Sequence, residues 1–220
     1  SPDGRYLSFL KPYNGVRNVW VKEVDEPFED ARPLTADARP VGGASWSRDG
    51  AYLLYGQDKD GDENFHIYAV DPGADVDDAT GVPPSRDVTP HGAIQARIQN
   101  VPKASPRTLI VGMNDRDPQL HDLYSVDLDT GERTLIAQNP GGVLGWTFDR
   151  QDRLRLGIRT TPEGRIETVE VSPDGTPGRV VMSCSITENC GAVAFTPAGD
   201  QFYAITNADD RDLTELVTVD

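Results

Sequence analysis

The chain has 220 residues, 36 acidic and 21 Lys or Arg, for a formal net charge of −15. That length buries a sizeable core, which excludes a stapled miniprotein, and two Cys are too few for a disulfide framework or a Cys-rich zinc site. So acidic a surface repels phosphate backbones and excludes a general nucleic-acid binder, and no run of about 18 apolar residues offers a membrane-crossing helix. Gly and Pro (21 and 17) supply about 17% of the chain at 37% hydrophobic content, which suits short strands joined by turns.

Taken in chain order, the elements repeat. A Ser1-Pro2-Asp3-Gly4 turn leads into the apolar residues 6–9, an alternating strand runs over 19–25 to Asp25, and a shorter one covers 32–35. The second copy is the clearest, with strand-like pieces at 41–46, 51–57, 65–70 and 86–89, separated by Asp-Gly, Asp-Gly-Asp and Asp-Pro-Gly turns. Residues 72–84, acidic and rich in Gly and Pro, read as a loop inserted between two of its strands. Later copies place the post-turn strand at 105–111, 152–156 and 199–204, the alternating strand at 123–127, 166–172 and 216–220, and the closing strand at 133–137 and 179–183.

Two anchors measure the period. Phe9, Tyr55, Val111, Leu156 and Ala204 are spaced by 46, 56, 45 and 48 residues, and Asp25, Asp71, Asp127, Ser172 and Asp220 give the same four spacings. Four strands in each period of roughly 40–50 residues mark a β-propeller blade. A parallel β-helix needs a shorter period, and helical repeats need a 3.6-residue amphipathicity that no long window shows. The expected fold is all-β, a β-propeller fragment of about four and a half four-stranded antiparallel blades, with periods near 1–40, 41–92, 93–140, 141–185 and 186–220. Ser1 falls at the turn between a blade's first and second strands and Asp220 closes a third, so the chain is expected to be part of a longer protein and to associate edge to edge.

Two runs carry a family resemblance. Gln57-Asp58-Lys59-Asp60-Gly61-Asp62-Glu63-Asn64-Phe65-His66-Ile67-Tyr68-Ala69-Val70-Asp71 resembles the N-terminal propeller of the prolyl oligopeptidase family of serine peptidases, nearest to its bacterial dipeptidyl aminopeptidase and acylaminoacyl-peptidase-like branch. So does Val111-Gly112-Met113-Asn114-Asp115-Arg116-Asp117-Pro118-Gln119-Leu120-His121-Asp122-Leu123-Tyr124-Ser125-Val126-Asp127-Leu128-Asp129-Thr130-Gly131-Glu132. The Ser1–Phe9 turn is shared with TolB-like and other propellers. The resemblance implies a propeller that gates access of short peptides to a C-terminal α/β-hydrolase domain working through Ser, Asp and His. That domain would be the propeller's partner, short peptides its substrates, and no cofactor is implied. A TolB-like propeller that binds a protein or peptide without catalysis is the alternative. A five-bladed glycosidase fits poorly, because no acid recurs in a channel-facing context.

The chain's own residues offer little chemistry. Catalysis of the implied kind needs a Gly-x-Ser-x-Gly elbow, then Asp and His. The nearest approach is Gly43-Ala44-Ser45-Trp46-Ser47, which lacks the second Gly and lies on a first strand. His66, His91 and His121 read as ordinary strand or loop residues. Asp58, Asp60 and Asp62 alternate as in a calcium loop, but counting from Asp58 the sixth residue is Glu63 and the twelfth Ala69, so the EF-hand pattern fails. Aminodipeptidases of the resembled family hold the substrate's amino terminus with propeller glutamates, which makes Glu63 the candidate substrate-binding residue. Cys184 and Cys190 flank a five-residue loop and either form a disulfide, suited to an exported protein, or stay free thiols. Trp20, Trp46 and Trp146 read as packing between blades, and the acidic stretches 75–78 and 209–212 as solvated turns. Any signal peptide would precede Ser1, which leaves the compartment open.

Overall fold

The structure is a computed structural model that describes residues 1–209 and 211–220. Asp210, one residue of the acidic 209–212 turn, lies outside the described residues.

Eighteen strands fall into five sheets among the described residues. The first holds β1 (Tyr6–Tyr13), β2 (Val16–Glu23) and β3 (Arg32–Pro33), with one turn of 3-10 helix at Phe28–Asp30 before β3. The second holds β4 (Ala44–Trp46), β5 (Leu53–Gln57), β6 (His66–Val70) and β7 (Ser85–Asp87). The third holds β8 (Ala96–Asn100), β9 (Thr108–Asp117), β10 (Leu120–Asp127) and β11 (Arg133–Ala137). The fourth holds β12 (Val143–Phe148), β13 (Leu154–Thr160), β14 (Arg165–Val171) and β15 (Pro177–Ser185). The fifth holds β16 (Cys190–Phe195), β17 (Phe202–Thr206) and β18 (Glu215–Val219). Strand order in every sheet follows chain order, and the first, second, fourth and fifth sheets are antiparallel throughout.

The repeated turn has one hydrogen-bond logic. In the second sheet Ser47 Oγ donates to Asp49 at 2.7 Å and accepts the Tyr52 N–H at 2.9 Å, while Asp49 accepts the Ala51 N–H at 3.1 Å. The same pattern joins Ser1, Asp3, Arg5 and Tyr6 in the first. Short polar side chains thereby occupy backbone donors that a tight turn leaves without ladder partners. Gly4 and Gly50 sit at φ 74° and 75° in these turns, and in the fourth sheet Asp152 takes the corresponding left-handed conformation at φ 61°.

A second device closes the outer strand. Thr35 Oγ1 accepts the Val19 N–H at 3.0 Å, and Thr89 Oγ1 accepts the Ile67 N–H at 2.9 Å. The residues just before them, Leu34 and Val88, are fully buried, so each outer strand ends with one side chain driven into the core and the next tied to the adjacent strand.

Two compact units divide the chain, residues 1–111 with 126–133 and residues 112–125 with 134–220. In the first unit, alternate residues of β2 and β5 (Val19, Val21, Leu53, Tyr55) close with Leu34, Val41 and Val70 into one core. This alternation is why the strands form: period-two apolar residues on one face need a second sheet to cover them. In the second unit, Leu156 of β13 packs with Phe195, Phe202 and Ala204 from β16 and β17.

The strand at 41–46 is shorter than its pattern suggests. Val41 is fully buried, but its N–H bonds to the Arg17 carbonyl at 2.9 Å, and the strand begins only at Ala44. The inserted loop lies between β6 and β7, carrying an isolated bridge between Asp77 and Val82.

Candidate functional site

The connection between β5 and β6 holds the candidate residue Glu63. Asp58, at its start, has a side chain only 2% exposed, and its Oδ1 accepts from Arg39 Nε at 2.9 Å. Its Oδ2 accepts the Glu63 N–H at 3.3 Å, and Gln57 Nε2 donates to the Arg39 carbonyl at 2.9 Å. Asp60, Gly61 and Glu63 all adopt positive φ (56°, 85° and 60°), so the loop turns tightly over the buried Asp58. Asp62 accepts N–H bonds from Lys59 at 3.2 Å and Asn64 at 3.0 Å, and hydrogen bonding from the Asn64 side chain and backbone holds its carboxyl below the usual aspartate range. The Glu63 backbone is therefore fixed while its side chain is exposed at the surface. The three aspartates do not converge: Asp58 is committed to Arg39 and Asp62 to its own turn. Among the described residues no group of three His, Cys, Asp or Glu side chains is arranged to hold a metal.

The other sequence candidates are dispersed. Ser45 lies within β4 opposite Leu54, in strand geometry and without an elbow. His66 is a bridging residue, its Nδ1 2.6 Å from Asp87 Oδ2 and its Nε2 2.9 Å from the Gly92 carbonyl oxygen, so it ties β6 to β7 and to the segment beyond. His121 stands in β10 itself, inside the strand that the sequence places it before, because the strand starts at Leu120. Cys184 and Cys190 are joined by a disulfide with Cα atoms 6.1 Å apart, linking the end of β15 to the start of β16. Trp46 stacks on Tyr6 at 5.9 Å and donates from Nε1 to Ser8 Oγ at 3.0 Å.

Beside the Arg39–Asp58 pair, within the first unit, lies a pocket of about 440 Å³. Its floor is the face of the second sheet that carries Tyr55 and Tyr68, whose rings stack at 5.5 Å. One side is the 36–39 segment that follows β3. The other is the inserted loop, through Asp77, Val82 and Pro84. The loop is held by the Asp77 N–H to the Val82 carbonyl at 3.0 Å and by the Tyr13 hydroxyl, which donates to the Thr80 carbonyl at 3.4 Å. Asp37 enters from the 36–39 segment, positioned by its N–H bond to Asn18 Oδ1 at 2.9 Å. Burial pushes the Asp37 carboxyl above its ordinary value, against hydrogen bonds from Tyr55 and Gln57 that pull it down. Burial likewise raises the Tyr55 phenol, which faces Asp37 and Ser85. Sequence reading missed this pocket: Asp37 sits in the unremarkable Thr35-Ala36-Asp37-Ala38, and the only signal was the ten extra residues of the second period.

No protein-family model matches the chain. The chain is 40% identical over 176 residues to dipeptidyl aminopeptidase BIII of Pseudoxanthomonas mexicana, a match covering 80% of this chain and 24% of that protein. A solved prolyl endopeptidase structure superposes with a TM-score of 0.67 at 15% identity, over 97% of this chain and 31% of the other. This is propeller sequence of the prolyl oligopeptidase family. TolB from Acinetobacter baumannii matches with a TM-score of 0.58 at 13% identity, covering 99% of this chain and 52% of that one, which shows the shared propeller fold. The five sheets are accordingly propeller blades, three with four strands each and two with three. The propeller chain spans about a quarter of the length of the dipeptidyl aminopeptidase it matches.

Proposed function

We propose that this propeller segment screens short peptides on their way to a Ser-Asp-His hydrolase domain of the same protein. The observation that supports the reading is the 40% identity to a dipeptidyl aminopeptidase over four-fifths of the chain. The chain itself contributes scaffold: its sequence holds no Gly-x-Ser-x-Gly, and its nearest serine, Ser45, is a strand residue. The acyl transfer, with its nucleophile and oxyanion hole, belongs to residues outside it. Within this reading the exposed Glu63 carboxylate is offered to a substrate's free ammonium, where a charge-assisted hydrogen bond would select unblocked amino termini.

The gene beyond Asp220 tests the proposal, since a Gly-x-Ser-x-Gly followed by Asp and His is required downstream. The full-length protein is expected to release chromophore from aminoacyl and dipeptidyl substrates, and this 220-residue chain to release none. Turnover by the isolated chain would overturn the assignment of catalysis elsewhere. Glu63→Gln in the full-length enzyme is expected to raise KM for free-amino substrates while leaving blocked ones unchanged, and an equal effect on both would remove Glu63 from substrate binding. The likeness to TolB favours a second reading, a propeller that binds without catalysis, and a downstream sequence with no hydrolase signature would select it.

A further inference from the structure

We propose that the pocket between the 36–39 segment and the inserted loop binds an organic cation, a primary ammonium on a short apolar stem. It is separate from the peptide-screening reading and survives that reading's failure.

Asp37 makes the first case. It is a half-buried carboxylate, and the side chains that favour its charged form, Tyr55 and Gln57, are neutral. Among the ion pairs of the described residues Asp37 has no cationic partner, because the nearby Arg39 is turned onto Asp58 at 2.9 Å. A partly desolvated carboxylate without a counter-charge is costly, and a ligand ammonium placed against it gains a charge-assisted hydrogen bond while relieving that cost.

The walls narrow the ligand class. The lining carries four carboxylates, from Asp37, Asp58, Asp60 and Asp77, against the two cations Arg39 and Lys59, so an anion is disfavoured. The partly buried Tyr68 ring, backed by the stacked and buried Tyr55, offers π surface of the kind that attracts cations, and Val82 and Pro84 offer apolar surface to a methylene stem. A bare metal ion would need a convergent set of oxygen ligands, which the described residues do not form.

The inserted loop is the second case. The period that contains it is 56 residues against 45 to 48 elsewhere, and the other sheets form without such an addition. The insertion nevertheless has internal structure, the Asp77–Val82 bridge, and an anchor on Tyr13. It adds a wall to the face that presents Tyr55, Tyr68 and Asp37.

The test titrates n-butylammonium into the 220-residue chain while following the tyrosine ring resonances by NMR, with butyrate as the charge-reversed control. Saturable shifts confined to Tyr55 and Tyr68 are expected, with none from butyrate. Asp37→Asn keeps the backbone bond to Asn18 and is expected to weaken binding by about tenfold or more, the loss of one charge-assisted contact. Tyr68→Leu keeps an apolar wall but removes the ring, and a loss of about threefold is expected from the cation–π contact. Unchanged affinity in folded Asp37→Asn, equal response to butyrate, or no saturable shift in the wild-type chain would each overturn the proposal.

Discussion

Removing the Cys184–Cys190 disulfide tests how much the second unit depends on a local crosslink. The bridge closes a ring of only seven residues, 184–190, across the crossover from the fourth sheet to the fifth. Chain-entropy arithmetic for that ring gives about 8 cal/mol/K, or about 2.4 kcal/mol at 25 °C, a stabilisation of the folded state that comes from constraining the unfolded chain. Both cysteines are buried, at 2% and 5% exposure, against Ala208, Ile166 and Met182, so cutting the bond also loosens a small apolar cluster. For a chain of this size the entropic part alone corresponds to a fall in Tm of roughly 5–10 °C. Thermal melts by circular dichroism would compare the oxidised chain, the chain reduced with a phosphine, and Cys184→Ala/Cys190→Ala. Hydrogen exchange should locate the extra opening at the start of β16 and around residues 206–208. Coincident melts within about 1 °C would refute the reasoning, because no denatured-state constraint would then have been lost.

Three further outcomes follow from particular contacts. The fully buried Asp149 carboxylate is opposed by desolvation, but the N–H groups of Arg153 and Gln151 and the guanidinium groups of Arg153 and Arg155 overcome it and hold the carboxyl below its ordinary 3.8. Its contribution is present above pH 3.8 and is lost as pH falls below it toward the depressed folded value, so Asp149→Asn is expected to flatten the acid end of the stability curve, measured by urea midpoint against pH; an unchanged acid slope would contradict this. Gly175→Ala would put a Cβ 2.8 Å from Ala137 Cβ and 3.1 Å from Trp146 at φ 84°, and should cost about 2–4 kcal/mol. Gly164→Ala, at φ 75° in open space, should cost only about 1 kcal/mol, and denaturant titration of the two variants should separate them. Thr89→Val leaves the Ile67 N–H buried without its acceptor and should cost about 1–3 kcal/mol by the same titration.

The blades were legible because their signals are local. A Ser-x-Asp-Gly turn satisfies its own backbone within six residues, and the alternation in β6, with Ile67 and Ala69 buried on either side of the half-buried Tyr68, reports which face is buried without reference to any partner. The first strand of the third sheet was not legible: Ala96–Asn100 reads Ala-Arg-Ile-Gln-Asn, and pairing with β9 places it where hydropathy does not. The disulfide remained open in the sequence, since six residues of separation suit either state until a turn brings the two Cα atoms to 6.1 Å. The pocket was hidden for the same reason that it exists. Asp37, Tyr55, Tyr68 and Asp77 come from four segments, and no window of sequence contains their meeting. Glu63 was found by resemblance alone, and its exposed side chain gives that reading room without a built site.

Strand order that follows chain order in all five sheets has a kinetic consequence. Each strand pairs with its immediate predecessor, so ladder closure spans tens of residues and never the length of the chain, and the contact order is low for an all-β protein. A nascent chain leaving the ribosome would have every partner for a sheet in hand after one period of 45 to 56 residues. Folding can then advance blade by blade during synthesis, each sheet closing its ladders before the next period has emerged.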